Sequence, residues 1–155
     1  KSVEFDIAIL GSSEKGFGYR SEIHIWLTAN DYENANLMIL LGYIILGHPE
    51  WKHAEIKIFA IYPSAEISAQ TENLRRLITS GRIPISAKNI NVIEQTIDKS
   101  VKSIINETSQ EADLTILGFR SEALKHTGKD IFLGYDQVSN LLLVNAHSEK
   151  EIKQL

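Results

Sequence analysis

Short apolar runs recur along this chain, and between most of them lies a stretch whose apolar residues fall at helical spacing. Residues 22–27 read Glu-Ile-His-Ile-Trp-Leu, with Ile23, Ile25 and Leu27 on one face, the period of a strand. Further strands are expected at 55–61, 89–93, 114–118 and 141–144. Helices are expected over 34–47 and from Pro63-Ser64 to a stop at Gly81. A third helix, capped by Asp98, presents Val101, Ile104 and Ile105; a final one within 128–140 presents Ile131, Tyr135 and Val138. Strand–helix alternation implies right-handed βαβ crossovers, hence a three-layer α/β fold around a mostly parallel sheet. Residues 5–10 form a further short strand ended by Gly11, and the loop from Ser12 to Arg20 predicts an antiparallel hairpin with 22–27.

The helix over 34–47 restricts the arrangement most. Asn30 with Glu33 resembles a capping box, and Pro49 lies just past its end. It is apolar all round, so it must be covered on more than one side. Leu40, Leu41 and Ile44 are expected in the core. The run 35–47 is shorter than the ~20 apolar residues of a membrane span, and charged residues flank it. Its surplus apolar perimeter is expected to meet another protein surface, with a second copy as the simplest closed partner. The final strand and residues 147–155 are alternative contact segments.

A chain of 155 residues fits one domain, 1–155. Its net charge of −4 opposes a nucleic-acid surface. The absence of Cys excludes disulfides, thiolate chemistry and Cys-bound zinc. No signal-peptide pattern opens the chain, and a start at Lys1 rather than Met leads us to expect a piece of a longer protein.

Catalytic patterns do not assemble. Gly11 to Gly18 superficially resembles a phosphate loop, but Phe17 and Gly18 stand where Lys and Ser or Thr are required, and a strand follows instead of a helix. His24, His48, His53, His126 and His147 show no metal-ligand spacing. Ser12, Ser13 and Ser121 lie outside any nucleophile elbow. Asp6, Asp113 and Asp136 have no evident base or nucleophile partner, and Trp26 and Trp51 read as packing residues. Arg75, Arg76, Arg82 and Lys88 form the densest basic region and read first as a solvated face. No catalytic, cofactor-binding or metal residue is assigned, no cofactor is expected, and the chain is not expected to be an enzyme.

Two families resemble parts of this sequence. Glu111 to Gly118 and the closing Leu142-Leu143-Val144 resemble the last strands of universal stress proteins. The nucleotide-binding glycines of that family are not reproduced: Ser121 and Ile131 stand at two of the positions, and Gly11-Ser12 replaces the acidic residue after the first strand. The resemblance implies the fold without the ATP site.

The second resemblance runs through nearly the whole chain. Glu22-Ile23-His24-Ile25-Trp26-Leu27, the Leu-rich helix with Gly42-Tyr43, and Trp51 followed by Glu55-Ile56-Lys57-Ile58-Phe59 are similar to the C-terminal cytosolic domain of cation–chloride cotransporters. Asn73 to Ile78 and Leu141 to Asn145 continue the order. His24 stands where that family has Asp, Ile25 replaces its first Trp, and Asn145-Ala146 replaces Arg-Gly. The resemblance implies a regulatory or assembly domain on the cytoplasmic face of the membrane, the C-terminal half of the cytosolic region of a Na-K-Cl-type symporter in the amino acid–polyamine–cation superfamily. It implies a homodimer that also contacts its transmembrane domain and a neighbouring cytosolic half-domain. A nucleotide-binding stress-protein domain and the tail of a related amino acid permease remain the alternatives.

Overall fold

A computed structural model describes residues 4–80, 85–148 and 150. It contains β1 (Ile7–Gly11), β2 (Glu22–Thr28), α1 (Ala35–Leu46), β3 (Glu55–Tyr62), α2 (Ile67–Ser80), β4 (Ile90–Glu94), α3 (Val101–Thr108), β5 (Leu114–Gly118), α4 (Ser121–Thr127) and β6 (Leu141–Asn145). The strands form one sheet in the order β1-β6-β5-β2-β3-β4. Every pairing is parallel except β1 with β6.

The expected three-layer α/β architecture is present. Ile23, Ile25 and Leu27 of β2 face a core completed by Met38 and Ile39 of α1 and by Leu74 and Ile78 of α2. Trp26, Phe59 and Leu117 face a second core with Ile105 of α3 and Val138. Both faces of the sheet are thus covered at its centre, which is why β2 is buried on both of its sides. Trp26 and Phe59 stack across β2 and β3 with ring centroids 4.7 Å apart.

β1 does not form a hairpin with β2. It crosses to the far edge and pairs with β6, so that Ile9 lies opposite Leu143. β2 already has parallel partners on both edges, β5 and β3, and has none left for β1. The connecting loop is pinned by Asn140, which accepts from Ser13 N (2.9 Å) and donates to the carbonyls of Gly16 and Asp113 (3.0 Å for the latter). Asp113 holds the other end, accepting from the backbone N–H of Ser21 (2.7 Å) and Glu22 (3.0 Å).

Three local expectations are corrected. The final helix is α4 at Ser121–Thr127, and Gly128–Phe132 is a short 3-10 turn. Gly128 (φ 65°) and Gly134 (φ 90°) break the segment in which the sequence suggested a helix, while Val138 still packs into the second core. Ser100, not Asp98, caps α3 by accepting from Ser103 N (3.2 Å). Asn34, not Asn30, stands at the N-cap of α1. The expected helix stop at Gly81 lies outside the described residues.

Candidate functional site

In an open parallel sheet, ligands bind outside the carboxyl ends of the strands, where the strand order reverses. Here the reversal falls between β2 and β5, so the crevice is bounded by the loop after Thr28 and by Gly118-Phe119. Side chains of this protein fill it. Asp31 accepts from the N–H and hydroxyl of Thr28 (both 2.9 Å) and from Asn34 Nδ2 (3.3 Å). Asn34 Nδ2 also donates to Phe119 O (3.0 Å), and Asn34 Oδ1 accepts from Ala146 N (2.7 Å). Asn145 donates to the same Phe119 carbonyl (2.8 Å). One amide therefore ties the start of α1 to the ends of β5 and β6.

Gly118 completes this closure. A Cβ built there would lie 1.9 Å from Asp31 Oδ1 and 2.9 Å from Asn34 Nδ2. The space beside Gly118 is occupied by the Asp31 carboxyl group. Burial pushes that carboxyl above its usual pKa, opposed by the hydrogen bonds from Thr28 and Asn34. Beside it, between α1 and α2, lies an open cleft of about 390 Å³ lined by Leu27, Thr28, Tyr62 and Asn73 among others. Among the described residues its lining contains Asp31 and no Lys, Arg or His, which makes it a poor receptor for a polyanion.

A second polar cluster lies under the C-terminal end of α3. Ser109 Oγ accepts from Trp26 Nε1 (2.7 Å) and bonds His24 Nδ1 (2.8 Å). His24 is 4 % exposed, and its Nε2 has no hydrogen-bond partner. Glu22 Oε2 lies 3.8 Å away, while the other Glu22 oxygen pairs with Lys57. Burial lowers the His24 pKa from 6.5 to about 4, against the pull of Glu22. His24 is thus a neutral core imidazole, tilted against Phe59 at 4.9 Å.

The other flagged residues are dispersed. His48, His53, His126 and His147 are exposed, the first two flanking the same short turn at Pro49–Trp51. Among the described residues no group of His, Asp and Glu is arranged to hold a metal. Trp51 packs edge-on against Phe17 at 5.6 Å, a structural contact. Arg75, Arg76 and Lys88 are exposed, with Arg76 paired to Glu72, and Arg82 lies outside the described residues. Asp6 bonds His147 N (2.8 Å) and Lys150 (3.0 Å), which holds it below the ordinary carboxylate range.

The apolar helix is the feature left open. α1 turns Met38, Ile39 and Gly42 to the sheet, with Gly42 against Ile25 and Ile56. At about 100° per residue, Leu40, Tyr43 and Ile44 fall on the opposite side. Leu40 and Leu41 are only half-buried, and Ile44 is 59 % and Tyr43 46 % exposed. The expected deep burial of Leu40, Leu41 and Ile44 is therefore wrong: the glycine, having no side chain, sets the close contact, which leaves Leu41 at the margin of the first core and turns Leu40 and Ile44 away from it. No helix among the described residues is long and apolar enough to cross a membrane.

The architecture defines a Rossmann-like α/β domain. No protein-family model matches the chain, and no curated protein does. Among solved structures, it is similar to the cytoplasmic domain of a prokaryotic cation chloride cotransporter, with a TM-score of 0.64 and 17 % identity over 95 % of this chain and 55 % of the other. It is also similar to a protein of unknown function from Pseudomonas aeruginosa PAO1, with a TM-score of 0.56 and 20 % identity over 88 % and 51 %. The chain spans about half the length of each. At these identities the likeness is one of fold.

Proposed function

We propose that this chain is a cytosolic regulatory and assembly domain of a membrane cation–chloride cotransporter of the Na-K-Cl type, in the amino acid–polyamine–cation superfamily. The observation that carries the reading is the likeness of fold, and the sequence resemblance stands beside it. The fold of the cotransporter's cytoplasmic domain matches over 95 % of this chain, and the residue order from Glu22 to Asn145 resembles the same family. The domain works by contact and without catalysis. It takes no cofactor and no nucleic acid, and forms a homodimer that also meets the membrane part and a second cytosolic half-domain. The outer face of α1, with Leu40, Tyr43 and Ile44, is the surface offered to the rest of the parent protein, because solvated apolar side chains on a helix gain by burial.

The coding sequence around this segment tests the reading. Roughly a dozen apolar stretches of about 20 residues upstream are expected. A gene encoding the α/β domain alone would reject it.

A further inference from the structure

Among the described residues, β1 is an edge strand without the usual protection. All five of its residues are exposed although β6 pairs with it, and Ile7 (45 %), Ile9 (42 %) and Leu10 (52 %) are large apolar groups. Neither core includes a β1 residue. Edge strands in monomers are commonly blunted by Lys, Pro or a bulge; β1 reads Ile-Ala-Ile-Leu-Gly and pairs with β6 without a break in register. β6 itself, considered from sequence as a contact strand, lies inside the sheet between β5 and β1. The edge on that side is β1.

We infer that β1 pairs antiparallel with β1 of a second copy, about a two-fold axis at Ile9, joining two six-stranded sheets into one. The occupant is argued from the strand's self-complementarity. A two-fold axis normal to the sheet keeps each residue on its own face, so opposed residues must differ by an even number of positions. Centring on Ile9 sets Ile9 against Ile9, Ile7 against Gly11, and Leu10 against Ala8. Ile9 meets its own copy on the axis, the flanking Ile7 and Leu10 meet the small Gly11 and Ala8, and the whole strand is used. Asp6 falls opposite Ser12 and keeps its own partner Lys150. A centre at Ala8 would press Asp6 against Leu10, and a centre at Leu10 would set Ile7 against Ser13. Two short strands bury less than the roughly 1,200–2,000 Å² of a stable interface, so the isolated domain dimerises weakly, in about the 10 µM to 1 mM range. This inference rests on the self-association in the proposed function, and it leaves the outer face of α1 free for other contacts.

The Cys-free chain makes the test clean. Directly opposed residues in an antiparallel pair have Cα atoms about 4.5–5.5 Å apart, within disulfide range. Single variants Ile9→Cys, Ala8→Cys and Ile44→Cys are oxidised at about millimolar protein, and sedimentation is run on the wild type, Ile9→Lys and Ile44→Lys. Circular dichroism checks that each variant is folded. The inference expects rapid cross-linking of Ile9→Cys over both other variants, and at least a tenfold weaker dimer for Ile9→Lys alone. If Ile9→Lys is unfolded, the cross-linking order decides. A wild-type dimer that Ile44→Lys abolishes, with Ile44→Cys cross-linking best, overturns the β1 interface and leaves self-association standing. Pairing with an unrelated strand, seen as a dimer indifferent to both positions, also overturns it. A wild type monomeric to millimolar overturns both.

Discussion

Gly118 and Asp31 meet so closely that a side-chain carbon on the glycine would stand 1.9 Å from the carboxyl oxygen. This contact closes the crevice where related sheets hold ligands. Gly118→Ala must push Asp31 out of its bonds with Thr28 and Asn34. A loss of about 1–3 kcal/mol in denaturant unfolding is expected, the cost of unpairing a buried polar group. A neutral Gly118→Ala variant would mean that the closure is loose.

Nucleotide affinity follows from the same contact. Asp31 fills the space beside Gly118, and none of the described residues that line the adjoining cleft is basic. No ATP binding below about millimolar is expected. A ligand at 100 times its Kd would add about 2.7 kcal/mol to stability, so 1 mM ATP should leave the melting temperature unchanged. A clear rise would revive the stress-protein reading.

The core helix gives opposite expectations for neighbouring residues. Ile39 is fully buried against the sheet and Ile44 is largely solvated. Ile39→Ala should cost about 2–5 kcal/mol, and Ile44→Ala within about 0.5 kcal/mol. Equal losses would mean that α1 is rotated from the position described.

That rotation shows where sequence reading stops. β2 to β6 were legible because their apolar runs carry their own period. α1 was legible as a helix, but a segment apolar on every side cannot say which side faces the sheet. Gly42 decides it through contact with Ile25 and Ile56, which are distant in sequence. α4 was missed because Ser121 to Thr127 offers only Ala123 and Leu124 as an apolar stripe, while Ile131, Tyr135 and Val138 imitate one across two left-handed glycines. The partner of β1 lies more than a hundred residues away, beyond the reach of local pattern. The closure at Gly118 was half legible: the departures from the stress-protein glycines were visible, but Asp31 as the occupant was not.

His24 should give the domain an acid-sensitive stability. Its folded-state pKa is about 4 against 6.5 for a free imidazole. The unfolded chain therefore binds a proton that the folded chain refuses between those values. The stabilisation is complete above about pH 6.5 and is lost progressively as pH falls toward 4, amounting to about 3 kcal/mol. In urea unfolding, the stability lost between pH 6.5 and 4 should be greater for the wild type than for His24→Leu by that amount. Parallel curves would mean that His24 is protonated in the folded state.

Cell fractionation addresses the central claim most directly. An antibody raised against this domain is used to probe soluble and carbonate-washed membrane fractions of the native host. As the domain of a cotransporter, it should be detected in the washed membranes, in a band several times the 17.4 kDa of this chain. A soluble band near 17.4 kDa, absent from the membranes, would contradict the account.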